Sequence, residues 1–269
     1  MITMCIAMAV ACGSFALAFF ALDLGMGWSI TAGVVFFMVC NFVFGMVIKT
    51  KIQAVMDRVQ LIMADGQKKI QAKMQRWQLR PPGSVQAAQR EVEADMRVFV
   101  KDALAATEGL RKYRLWVPMI DRQMATAQVQ LNWMIKEYRK VDELMPKALM
   151  IDPSMTAIKL ARLQMLDAPV DEMRKVYDKG VRRLRYNQNA LLAGCWSWIL
   201  VKRGLVDDAF KVLTEALKNS DNETLKANHE HLMNNRVAHF SNSGLGDQWY
   251  SLQLEEPRVR TQRQRPMYR

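Results

Sequence analysis

The side chains best suited to metal or acid–base chemistry lie toward the carboxyl end of the chain. His229, His231 and His239 are its only histidines, and Glu230 lies between two of them. A zinc site of the HExxH type places its two histidines on one face of a helix, whereas residues two apart point to different sides. We therefore expect no metal site here and no bound cofactor.

Motifs for catalysis are also missing. The chain has no GxxxxGK[ST] or GxGxxG loop for phosphate and no GxSxG turn for a serine nucleophile. Its four cysteines form no CxxC pair, a spacing that favours small buried hydrophobic side chains over ligands. Asp207 and Asp208 fall at the start of a predicted helix, where they complement the helix dipole. We therefore expect a binding protein and not an enzyme.

Two apolar runs open the chain, at residues 2–22 and 28–48. The only charged side chain in the first 48 residues is that of Asp23, in a glycine-rich turn between the runs. Each run can cross the hydrocarbon core as a helix of about 20 residues, which predicts a transmembrane hairpin. Lys49 and Lys51 come directly after the second run and predict that both ends face the cytoplasm. We expect an integral protein of a bacterial inner membrane; retention or removal of the first run stays open.

Residues 49–118 predict an amphipathic arm of two helices. Met56, Met63, Ile70 and Trp77 repeat every seven residues, and the Pro81-Pro82-Gly83 break comes next. Ser84 is the expected N-cap of the second helix. Apolar residues three and four apart then form a seam: Val92, Met96, Phe99, Ala103, Ala106, Leu110 and Tyr113. The simplest partner for this seam is the first helix, folded back, but a homo-oligomer would use the same seam.

The net charge of +12 predicts an anionic partner or surface. The cations expected to contact anionic lipid lie on the first helix of the arm: Lys68, Lys69, Lys73, Arg76 and Arg80. A solvated coiled-coil face explains them equally well. The alternative partner is an anionic polymer such as RNA or the ribosome. Nucleic acid is not expected, because the chain has no recognisable nucleic-acid module and few aromatic residues among these cations.

The stretch from Asn189 to Asn219 predicts two short helices with a tight turn at Gly204. Its small and large apolar residues recur at helical spacing: Trp196, Leu200, Ala209, Leu213, Ala216 and Leu217. With Gly204 they match a pattern of about 34 residues, so the stretch resembles a tetratricopeptide repeat (TPR). Ser197 and Asp221 depart from that pattern. Two weaker matches upstream carry Ala168 and Lys136 at the turn position.

A TPR resemblance implies a solenoid, here over residues 119–235 with a capping helix at Glu223–Asn234. It also implies a groove, lined by the first helix of each repeat, that holds a peptide or helix of a protein partner. The groove positions carried over are Trp133, Met155, Arg162, Met165, Trp198 and Lys202. Core packing explains Trp133, Met165 and Trp198 equally well.

The interpretation is thus a membrane-anchored scaffold or adaptor that binds a protein partner at the cytoplasmic face. An accessory subunit of a larger membrane complex, with Asn41 packing on other spans, is a further alternative. Residues 236–269 predict an extended segment and a basic tail. Tyr250, Leu252 and Leu254 alternate as in a strand, and Arg258 begins an arginine-rich stretch without acids. The expected fold class is all-α with a short non-helical carboxyl-terminal segment.

Overall fold

The computed structural model describes residues 2–20, 25–79, 83–185 and 188–257. These residues are helical with no strand, which confirms the all-α prediction. The α-helices are α1 (Ile2–Phe20), α2 (Met26–Leu79), α3 (Val85–Thr107), α4 (Ile120–Met134), α5 (Tyr138–Leu144), α6 (Pro153–Met165), α7 (Val170–Val181), α8 (Ala190–Lys202), α9 (Val206–Leu217), α10 (Glu223–Met233) and α11 (Asp247–Tyr250). Short 3-10 helices cover Glu108–Tyr113, Met145–Lys147, Val237–His239 and Ser243–Leu245.

The chain divides into two compact units, Met1–Ala148 and Leu149–Arg269. The boundary falls inside the segment 119–235 that the sequence suggested as one domain. Three predicted features lie outside the described residues: the turn at Asp23, the Pro81-Pro82 break with Arg80, and the arginine-rich tail.

In the first unit, α2 is a single helix of 54 residues that changes character along its length. Its first half is apolar and exposed, and its second half is charged. It is long and apolar enough to cross a membrane. Only 6% of its 18-residue apolar stretch is buried inside the chain. The helix before it, α1, contributes a shorter apolar stretch, Cys5–Phe19.

Small residues let α1 pack closely on the apolar half of α2. Ala7 is fully buried, and a Cβ atom at Gly33 would lie 3.3 Å from the carbonyl oxygen of Ala11. Asn41 donates its side-chain N–H to the carbonyl of Phe37, 3.0 Å away in the same helix. One donor of the Asn41 amide is therefore used within α2.

The charged half of α2 packs against α3, and α3 in turn contacts α4. A buried cluster joins the three helices: Val59, Val100, Ala103, Leu131 and Ile135. Gly66 is needed here because a Cβ atom would lie 2.5 Å from the ring of Phe99. Ser84 caps α3 as predicted, since its hydroxyl accepts the backbone N–H of Ala87 at 3.1 Å.

Four helices end in the same left-handed turn. Lys136, Asp167, Gly204 and Asn235 come after α4, α6, α8 and α10, with φ of 60°, 55°, 76° and 54°. Each N–H bonds the carbonyl three residues back, and the next N–H bonds the carbonyl five back, as in a Schellman motif. The turns at Gly204 and Lys136 lie where the sequence placed them. In the middle pair the left-handed residue is Asp167 and not Ala168.

We expect the conformation at this turn to be measurable as stability. Gly204→Ala should lower the free energy of unfolding by about 1 kcal/mol, because a residue with a Cβ atom resists positive φ. No atom lies within 4 Å of that Cβ position, so the loss is conformational. At Lys136, which pairs with Glu93 at 3.2 Å, the matched variants are Gly and Ala. Both remove the ion pair, and denaturant unfolding should find the Gly variant more stable; equal stability would contradict the explanation.

In the second unit, two successive helix pairs have the same lengths. α6 and α8 have 13 residues each, and α7 and α9 have 12 each. α6 packs on α7 and α8, α8 on α9, and α9 on α10. Gly180 lies where α6, α7 and α8 meet, since a Cβ atom there would be 2.7 Å from Thr156 and 3.0 Å from Leu192.

The predicted extended segment near the carboxyl end is wrong. Residues 243–250 form a 3-10 helix and α11, joined at Gly246, whose φ is +63°. Trp249 and Leu252, three residues apart, are the buried side chains, which is helix-like spacing and not the alternation of a strand. The segment from Ser241 to Glu255 is hydrogen-bonded to α10 and α8 at its beginning and to α8 at its end.

Candidate binding surfaces

The predicted groove residues do not form one open surface. Trp133 is 2% exposed and Met155 is fully buried. The ring of Trp133 packs edge-on against Tyr138, with centroids 5.5 Å apart. Both side chains therefore belong to the interior of their own units.

Trp198 is covered by the carboxyl-terminal segment. It is 8% exposed, and its ring meets that of Trp249 edge-on at 5.6 Å. Both indole N–H groups donate to one carboxylate: Trp198 to Oε1 of Glu255 at 2.8 Å, and Trp249 to Oε2 at 2.9 Å. A single acidic side chain thus connects α8 to the segment that covers it.

A buried amide network holds the other end of this segment. Asn242 donates to the carbonyl of Gly194 at 2.7 Å and accepts from Asn228 at 2.9 Å. A Cβ atom at Gly194 would lie 2.9 Å from the end of the Leu245 side chain, so a larger residue would displace that side chain. The predicted groove position Trp198 is therefore covered by the chain itself. The only sign of this network in the sequence is a glycine inside an apolar helix.

Three predicted groove residues remain accessible in part. Arg162 and Met165 on α6 are half-buried, and Lys202 on α8 is exposed. The Lys202 ammonium lies 5.2 Å from the ring centroid of Trp198. Because α6 and α8 pack on each other, these side chains lie on adjacent helices.

The predicted anionic-lipid residues are partly engaged by α3. Lys73 pairs with Asp95 at 2.5 Å and with Glu91 at 2.8 Å. Both hydrogen bonds raise the pKa of Lys73, and the bond to Asp95 has the larger effect. The Lys69 ammonium lies 5.6 Å from the ring centroid of Phe99. Lys68 and Arg76 are exposed, and Arg80 lies outside the described residues. Lys73 therefore stabilises the contact between α2 and α3.

His229 and the buried cysteine have packing roles. His229 stacks on Phe210, with ring centroids 4.6 Å apart, and its Nε2 atom lies 3.1 Å from the hydroxyl of Thr214. Burial raises the pKa of the Cys195 thiol. Cys5 and Cys12 are exposed on α1, so the expectation that all cysteines are buried is wrong for these two. No three potential metal ligands gather within the described part of the chain.

Comparison with protein-family models, with curated proteins and with solved structures gives no match to this chain.

Proposed function

We propose that this chain is a membrane-anchored, TPR-like scaffold that binds a protein partner at the cytoplasmic face of a bacterial inner membrane. The observation that carries the proposal is α2, one helix with an exposed apolar half and a charged half that carries α3. The proposed scaffold needs no cofactor and performs no reaction.

The exposure of α2 favours a membrane span over a soluble core helix. A core helix would be mostly buried, whereas the apolar window of α2 is 6% buried. Its exposed side chains there are large and apolar: Ile30, Val34, Val35, Phe36, Met38, Val39, Phe42, Val43, Met46 and Val47. Water disfavours such a surface and lipid accepts it.

The second span of the proposed hairpin is α1. Its 19 residues rise about 28 Å, close to the thickness of the hydrocarbon core. Its contact with α2 uses small residues such as Ala7 and Gly33, which helix pairs in lipid favour. Lys49 and Lys51 at the end of the α2 span favour a cytoplasmic location for the remainder of the chain.

The two helix pairs of the second unit support the TPR-like interpretation. Helix lengths and left-handed turns recur from one pair to the next, as in stacked repeats, and the small residue Gly180 lets three helices meet. The carboxyl-terminal segment covers part of the α8 face. The partner contact is therefore proposed for the accessible residues Arg162, Met165 and Lys202, whose two cations favour an acidic segment.

The experiment is cross-linking in native membranes followed by affinity purification and mass spectrometry. Arg162→Glu with Lys202→Glu should reduce recovery of the partner at least roughly tenfold, because like charges would oppose an acidic segment. The matched control is Lys175→Glu with Lys179→Glu on the exposed face of α7. Equal recovery from both double variants would contradict this surface. Copurifying RNA with steep salt dependence would favour the polymer alternative instead.

A further inference from the structure

The turn after the 3-10 helix Glu108–Tyr113 lies beside the end of the apolar half of α2. Trp116 and Val117 share a cleft of about 500 Å³ with Asn41, Ile48 and Lys49. Further along, Gly109 lies against Val55 of α2, which its Cβ position would approach to 3.6 Å. The turn therefore reaches the level at which α2 changes from apolar to charged.

Lengths along the helices agree with this placement. The charged half of α2, Lys49 to Leu79, rises about 46 Å at 1.5 Å per residue. The 23 residues of α3 and the 6 of the 3-10 helix span about the same length. Since α3 packs back along α2, the chain returns to the level of Ile48 when it reaches Arg114.

This turn exposes large apolar side chains. Leu115 is 65% exposed and Met119 is 50% exposed. Met119 has φ of 152° and ψ of 3°, a strained conformation for a residue with a side chain. Exposed apolar groups beside the end of an apolar span continue the surface that α2 presents to lipid.

Cations surround these apolar side chains. Residues 108–123 contain Arg111, Lys112, Arg114 and Arg122 against two carboxylates, those of Glu108 and Asp121. The Arg111–Glu108 and Arg114–Asp121 pairs are exposed, so they compete only weakly with a phosphate. Arg111 and Arg114 also line a cleft with Lys147, which adds a further positive charge.

Distance argues against a lipid-binding role for the cations farther along α2. Lys68 lies about 30 Å beyond Ile48 along the helix axis, and a tilt of about 40° would still leave roughly 23 Å. Electrostatic attraction to headgroups decays over about 8 Å at physiological ionic strength. Lys68, Lys69, Lys73 and Arg76 are therefore too far from the bilayer surface.

We propose that the turn Arg114–Met119 is a second membrane contact, which inserts Leu115 and Met119 among the headgroups while the surrounding arginines and lysines bind anionic phospholipid. This inference rests on the proposed anchoring by α2. The occupant is the same bilayer that α2 crosses, and the contact holds the first unit against its surface.

The test is hydrogen–deuterium exchange of the full chain in nanodiscs. One set contains phosphatidylcholine alone, and the other adds phosphatidylglycerol. We expect exchange over residues 108–123 to slow roughly tenfold in the anionic discs, since each nearby cation favours the anionic surface. Leu115→Glu with Met119→Glu should remove the slowing. The matched control, Leu61→Glu with Met74→Glu, changes two exposed apolar residues farther along α2 and should retain it.

Peptides over residues 26–48 separate the two levels of failure. If they are protected in both discs and residues 108–123 exchange equally in both, the second contact is wrong and the anchor stands. Slowing that persists in the Leu115→Glu, Met119→Glu variant also overturns the assignment to this turn. If residues 26–48 exchange freely in both discs, the proposed anchor fails and this inference fails with it. The lipid comparison on the unmodified chain does not depend on how the variants fold.

Discussion

Replacing Val35 and Val39 of α2 with aspartate should release the protein from membranes. Both side chains are exposed near the middle of the apolar half, four residues apart and thus on one face. An aspartate at the centre of a span opposes insertion by about 3 kcal/mol, so two give about 6 kcal/mol, a factor of roughly 10⁴. Fractionation with alkaline carbonate extraction would measure the release.

The first span is not expected to rescue this variant. If α1 alone remained inserted with its amino terminus in the cytoplasm, Lys49 and Lys51 would lie on the opposite side of the membrane, against the charge bias that sets orientation. The matched control is Leu61→Asp with Met74→Asp, which changes exposed apolar residues in the charged half of α2. The control should stay in the pellet. Retention of both double variants would exclude α2 as the anchor.

The second large effect is expected in the carboxyl-terminal segment. Trp249→Ala should lower the free energy of unfolding of the second unit by about 3–5 kcal/mol, because a fully buried indole leaves a cavity. The same change removes the ring contact with Trp198 and one of the two N–H donors to Glu255. Thermal unfolding and limited proteolysis near Ser241 would both report the loss.

A conservative change isolates the carboxylate from the cavity. Glu255→Gln keeps the shape but offers one oxygen and one NH₂ group to two indole donors, so one indole N–H of Trp198 or Trp249 loses its partner. We expect a loss of about 2 kcal/mol, since the site is only partly buried. Glu256→Gln, next in the chain and exposed, should change stability by less than about 0.5 kcal/mol. Equal effects of the two variants would show that the two indole hydrogen bonds to Glu255 are unimportant for stability.

Local signals in the sequence were sufficient for most of the helices, although not for α11. Apolar spacing located the helix pair around Gly204, and the residue type at Ser84 identified a cap. Such features depend on neighbours within one or two turns, which the sequence displays directly. The left-handed turn predicted at Ala168 lies at Asp167, so the prediction of that helix end was wrong by one residue.

The candidate surfaces were harder to predict, because periodicity shows which face of a helix is apolar but not what covers it. Trp198 has the same spacing as a groove residue and as a core residue, and the contact that helps to bury it, Glu255, lies 57 residues later in the chain. Lys73 similarly meets Asp95, 22 residues away, across two helices. The alternation of Tyr250, Leu252 and Leu254 indicated a strand because the turn at Gly246 was not recognised.

The unbroken course of α2 also fixes a dimension. A helix without a hinge works as a spacer of constant length, so Trp77 lies about 44 Å from the last apolar turn along the helix axis. A flexible linker with the same number of residues would sample many end-to-end distances. The helix α2, which packs against α3, has one. A partner that binds near Trp77 would therefore be held at a fixed distance along α2 from the proposed membrane span.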